Sequence, residues 1–163
     1  MNKQTIHNIL KSDAGLAALA LRVPVGIILA AHGAQKLFGW FGGYGLEGTG
    51  QWMASIGLEP GYLMALLAGS AEFYGGLALV LGLLTRPAAV VSAFTMLVAI
   101  FSVHFEHGLF LTNNGYEYAL ALFAAVVALT IQGAGSFSVD NAIAKNVVGR
   151  ASVNEPSHLK QVA

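Results

Sequence analysis

No cysteine occurs among the 163 residues. Disulfides, thiolate-bound metals, iron–sulfur clusters and thiol catalysis are therefore excluded for this chain. Charge is scarce as well. Eight Lys and Arg and eight Asp and Glu make up 10% of the sequence, against roughly 25% in a typical globular domain. So few charges cannot cover the surface of a small soluble domain. The two signs cancel to a net charge of +0, which leaves no basic field of the kind nucleic-acid binding requires.

What is present is apolar: 56% of the residues are hydrophobic. They gather into four runs, 16–38, 62–84, 87–105 and 116–134. The third contains no Asp, Glu, Lys or Arg, and the fourth carries only Glu117 near its start. A helix needs roughly 20 apolar residues to cross a ~30 Å hydrocarbon core, and all four runs are expected to do so. Open strands would strand backbone polar groups in lipid, and the alternation of barrel strands is missing, so the spans read as helices. Lys3 and Lys11 resemble the start of a secretory signal. However, three similar runs follow and the first is long for a signal, so it reads as a retained span.

Lys and Arg set the orientation. Four spans place both termini on one side, together with Lys3, Lys11, Arg86, Lys145, Arg150 and Lys160, with Arg22 near them. The opposite side holds only Lys36. The termini and the turn "LLTRP" are therefore expected in the cytoplasm, and the loops 39–61 and 106–115 outside. Pro24 can kink span one, and Pro87 suits the first turn of span three. In the first outer loop, Trp52, Met53 and Ile56 lie at helical spacing. They predict a short interfacial helix with Trp52 at headgroup depth. Tyr44, Tyr62, Tyr116 and Tyr118 fit an outer aromatic belt. Beyond Gly133 and Gly135, Ser138 or Asp140 is placed to cap a short helix in the polar tail, and the final stretch is expected to be loose.

The ionisable residues within the spans share one level. His32 lies a turn before the outer end of span one, and Lys36 lies at that end. Glu72 is about ten residues into span two, roughly 15 Å deep at 1.5 Å per residue. His104 closes span three, followed by Glu106 and His107, and Glu117 opens span four. The inner half has only Arg22, whose long stem suits snorkelling to the surface. His32 and Lys36 are four apart and face the same way. Gly69, Glu72 and Gly76 form a stripe whose small residues admit a neighbouring helix, so Glu72 is expected to point into the bundle. A charge at such depth costs at least ~2.5 kcal/mol, which makes an intramembrane Glu a functional candidate. Three chemistries fit this level. Carboxylates with histidines can bind Zn²⁺ or Fe, although "HFEH" has no recognised metal spacing. Lys36 beside His32 can hydrogen-bond a quinone carbonyl while a Glu–His pair moves protons. Buried acids and histidines also build proton or small-molecule paths.

The chain resembles the DoxX family of small four-span membrane proteins across residues 16–141. The resemblance rests on "LRVPVGIILAAHGAQKLFG", "GLEGTGQWMASIGL", "LAGSAEFYGGLALVLGLLTRP", "GYEYALAL" and "GAGSFSVD", in that order. It implies an all-α inner-membrane four-helix bundle. It also implies an association with quinone-linked oxidation of sulfur compounds or with membrane complexes that handle oxidative stress. His32, Lys36, Glu72 and Glu117 fall within the matching segments. Without cysteine the chain cannot hold a persulfide, so sulfur oxidation would require a partner or a bound quinone.

The expectation is thus an integral membrane four-helix bundle over 16–138 with a short interfacial helix, between cytoplasmic segments 1–15 and 139–163. Glu72, Glu117 and His32 are the candidate proton-handling residues. Lys36, His32 and His104 are the candidates for holding a quinone; no metal ligand is assigned and metal binding is left open. The expected partners are the bilayer, a small redox substrate or quinone, and a redox subunit or second copy. The alternatives are an accessory scaffold and a transporter. Against the transporter stands the lack of an inverted repeat with interrupted helices.

Overall fold

The computed structural model describes residues 10–153, and the expectations for Lys3, Lys160 and the loose final stretch lie outside them. Among the described residues there are helices and no strands. Helix α1 is Leu16–Phe38, α2 Gly45–Ser55, α3 Gly61–Leu81, α4 Thr85–Ala99, α5 Glu117–Gln132 and α6 Val139–Val153. A π-helical turn, Ile100–His104, and a 3₁₀ turn, Phe105–His107, extend α4. With this extension, α1, α3 and the α4 segment are long and apolar enough to cross a membrane. Helix α5 is shorter than expected. Gly133 leaves the helical region at φ 77 and ends it after 16 residues, about 24 Å at 1.5 Å per residue.

The bundle is an all-α membrane fold built on two pairs, α1 with α3 and α4 with α5. Leu29, Leu79, Val126 and Leu129 are wholly buried where the pairs meet. Many other large apolar residues face outward, including Ile27, Phe94, Phe101 and Ile131, as they must when lipid is the solvent. The predicted outer-loop helix is present as α2, with Met53 buried beneath it and Trp52 partly exposed.

Close backbone approach joins α1 to α3. A Cβ on Gly33 would meet the Phe73 amide nitrogen and lie 2.7 Å from the Gly69 carbonyl oxygen. A Cβ on Gly76 would meet the Ala30 nitrogen. Any larger residue at either position forces the helices apart, which is the small-residue packing typical of membrane helices. This contact fixes the rotation of α3 and turns Glu72 inward, as its stripe predicted.

At the end of the bundle where α3 gives way to α4, polar side chains take over from lipid. Helix α3 stops in a Schellman motif: Gly82, at φ 66, donates to Leu79, and Leu83 donates to Ala78. Arg22 does not snorkel. It is 2% exposed and donates to the carbonyl oxygens of Leu79 at 2.9 Å and Ala134 at 3.1 Å, and also to those of Val80 and Phe137. The open carbonyls at the C-terminus of α3 and in the 134–137 turn reach a guanidinium in place. Ser138 caps α6, its hydroxyl accepting from the Asn141 amide at 3.2 Å. Asp140 instead caps α4. Its carboxylate accepts the Leu84 amide at 2.7 Å and the Thr85 amide at 2.9 Å, where a negative charge also suits the helix dipole. Ser12 and Arg86 tie the segment before α1 to the end of α5.

Candidate functional site

The close crossing of α1 and α3 brings Lys36, in the last turn of α1, over Glu72 at mid-helix in α3. Lys36 Nζ donates to Glu72 Oε2 at 2.5 Å. The Glu72 side chain is 4% exposed and that of Lys36 24%. The pair is therefore partly solvated at its cationic end and buried at its anionic end. Pairing is the physical condition for a carboxylate at this depth. An ammonium has three donors, and Glu72 occupies one of them.

Three cavities meet at Lys36. One of about 450 Å³ lies on the loop side, against Gln35, Gly43, Thr49 and Trp52. A second, about 310 Å³, runs from Trp52 and Asn114 down to Glu72 and His104. A third, about 100 Å³, lies deeper, between His32, Glu72, His104 and Tyr118. Lys36 borders all three; Glu72 and His104 border the last two.

The π turn at the end of α4 presents His104. Such turns insert an extra residue, re-aim the side chains after them and recur at functional sites. His104 Nδ1 stands 2.8 Å from the Asn114 carbonyl oxygen. A carbonyl only accepts, so Nδ1 carries the hydrogen between them, which leaves Nε2 as the nitrogen facing other partners. His32 lies in the deepest cavity, its ring 6.1 Å from that of Tyr118 and tilted by 58°.

The structure thus brings together four of the five predicted residues, His32, Lys36, Glu72 and His104. It does not bring in Glu117, whose Oε1 accepts the Leu111 amide at 2.6 Å and so closes the loop before α5. His107 Nδ1 bonds the Val103 carbonyl at 3.0 Å. Tyr118, expected in the aromatic belt, is 39% exposed and also lines the deepest cavity. Its signal was in the sequence: the phase of α5 puts it beside the inward-facing Ala119 and Leu122. Asn114, a loop residue, gave none. Among the described residues no group of three His, Asp or Glu side chains could hold a metal ion.

The match to known families decides the assignment. Residues 17–105 match DoxX, a stretch containing all four converging residues. The chain belongs to the DoxX family. It is 37% identical over 115 residues to the protein named "Putative oxidoreductase CatD" of Bacillus subtilis (strain 168), covering 71% of this chain and 79% of that one. The DoxX chain is also 32% identical over 135 residues to "Inner membrane protein YqjF" of Escherichia coli (strain K12), covering 82% and 95%. "Inner membrane protein YphA" of the same organism is 31% identical over 129 residues, covering 75% and 86%. No solved structure gives a significant match. The resemblance seen in the sequence is thereby confirmed, and with it an integral membrane protein.

Proposed function

We propose that this DoxX protein is an oxidoreductase component of the cytoplasmic membrane that holds the head of a quinone at the Lys36–Glu72 pair. The observation that carries this reading is the placement of an ion pair with a buried carboxylate where three cavities meet. A pair serving only as glue would be sealed by packing. The donor set fits the ligand: Lys36 has two N–H groups left for a carbonyl oxygen, and the surrounding walls are largely apolar. The name of the relative CatD points to the same class of chemistry.

A bound quinone supplies the electron-accepting ring. The protein's own groups then divide the remaining work. Lys36 orients the ring carbonyl and stabilises negative charge on its oxygen. The Glu72 carboxylate, ionised while paired to Lys36, would take up a proton and pass it on as the ring is reduced. His104, with Nε2 open and Nδ1 anchored, carries protons between Glu72 and the loop side. His32 and Tyr118 close the deep end.

The pocket faces outward in this reading, with both termini in the cytoplasm. Lys11, Arg86 and Lys145 lie at the terminal end, while the single loop-side cation in a span, Lys36, is neutralised by Glu72. Gently purified protein is expected to retain extractable quinone, and membranes overexpressing it to gain quinol–quinone turnover. Failure of both would reject the reading.

A further inference from the structure

A fourth cavity, about 340 Å³, opens between α3 and α4 on the outside of the bundle. Its walls are apolar and include Leu67, Ala71, Val91 and Phe94. Phe94 is 68% exposed and Leu67 55%, so in a membrane this groove faces hydrocarbon. The one hydroxyl along it, on Thr95, is turned back to the Val91 carbonyl at 3.0 Å. That satisfies the group within its own helix and leaves the groove without an unmet donor.

Met53, Leu58, Ala68, Thr95 and Val98 line both this groove and the polar cavity that reaches Lys36, Glu72 and His104. The two spaces therefore adjoin across a single layer of side chains. Helix α2 supplies Met53 to that layer, and the α2–α3 loop supplies Leu58. Methionine is the most adaptable apolar side chain available at such a partition. One space holds the ion pair and a hydrogen-bond donor, and the other is apolar and open to lipid. Their contiguity matches a molecule with an acceptor head and a long hydrocarbon tail.

We infer that the ligand of the Lys36–Glu72 pocket is a long-tailed amphiphile that enters sideways from the bilayer between α3 and α4, its tail occupying the groove. This rests on the reading of that pocket as a head-group site. The tail sets specificity: a quinone ring alone would fill the polar cavity and leave the groove to bulk lipid.

The absence of native cysteine makes the test clean. Ala71 lines the groove and not the polar cavity, so Ala71→Cys places one thiol where the tail would lie. In nanodiscs, a saturating isoprenoid quinone should slow modification of this thiol by a membrane-permeant maleimide about tenfold, as expected at about ten times Kd. Tetramethylbenzoquinone, a fully substituted ring without a tail, should leave the rate unchanged. As a second measurement, Ala71→Phe should weaken isoprenoid quinone binding about tenfold, some 1.4 kcal/mol, and leave tetramethylbenzoquinone binding as in the wild type. If both quinones bind but neither protects the thiol, lipid fills the groove and the inference falls while the head-group site stands. Equal binding of both quinones to wild type and Ala71→Phe has the same meaning. If neither quinone binds the wild type, the head-group reading itself falls and this inference with it.

Discussion

Replacing Lys36 with Met tests how dry the ion pair is. The substitution keeps the stem against Gly69, where Lys36 Cβ lies 3.2 Å from the position a Cβ would take, and removes only the charge. Glu72, with a side chain 4% exposed, then has no counter-ion. Removing one partner of a buried pair costs about 3–5 kcal/mol, because the other is left uncompensated. An exposed pair would lose at most about 1 kcal/mol. For a chain of this size each kcal/mol is worth about 2–4 °C, so Lys36→Met should lower the unfolding midpoint by about 6–20 °C. The double variant Lys36→Met/Glu72→Leu removes both charges and fills the space with apolar groups, which is often neutral for buried pairs. It should recover most of the loss. The assay is unfolding of the four proteins of this cycle in one detergent or nanodisc. If Lys36→Met costs under about 1 kcal/mol, or if the two single effects simply add in the double variant, the pair is not desolvated and the reasoning is wrong.

Three further outcomes follow from the packing. Gly33→Leu should prevent stable assembly, because the side chain would occupy the Phe73 and Gly69 backbone, whereas Gly15→Ala, with nothing within 4 Å, should change stability by less than about 0.5 kcal/mol; folded yield after membrane extraction distinguishes them. Arg22→Lys should destabilise by at least about 1.5 kcal/mol, since one ammonium cannot reproduce the fork that serves four carbonyls and a hydrogen bond to a charged group is worth roughly 1.5–3 kcal/mol; chemical unfolding measures it. Asp140→Ala should cost about 1–2 kcal/mol through loss of the cap on α4, with the first exchange protection lost at the Leu84 and Thr85 amides.

The readable parts of this molecule were those with a period or a composition. The apolar runs located the spans, and the Gly69–Glu72–Gly76 stripe set the face of α3. Lys36 and His32, four apart, had to share a side. The Trp52–Met53–Ile56 spacing revealed α2. Part of what stayed hidden depends on partners remote in sequence, and part on local loop and turn geometry. Arg22 looks like a snorkelling cation until carbonyls more than a hundred residues away fold over it. Asp140 looks like the cap of its own helix and caps one beginning at Thr85. Glu117 shares the level of the cluster, but its short reach to the Leu111 amide commits it to the loop. The π turn that presents His104 leaves no mark in the pattern, because one extra residue near a helix end barely shifts the hydrophobic phase.

The most direct measurement is quinone binding to nanodisc-held protein, comparing the wild type with the Lys36→Met/Glu72→Leu variant that is expected to stay folded. Saturable binding by the wild type, abolished in the double variant, is the predicted result. Undiminished binding by the double variant, or none by the wild type, would contradict the assignment of the Lys36–Glu72 pocket.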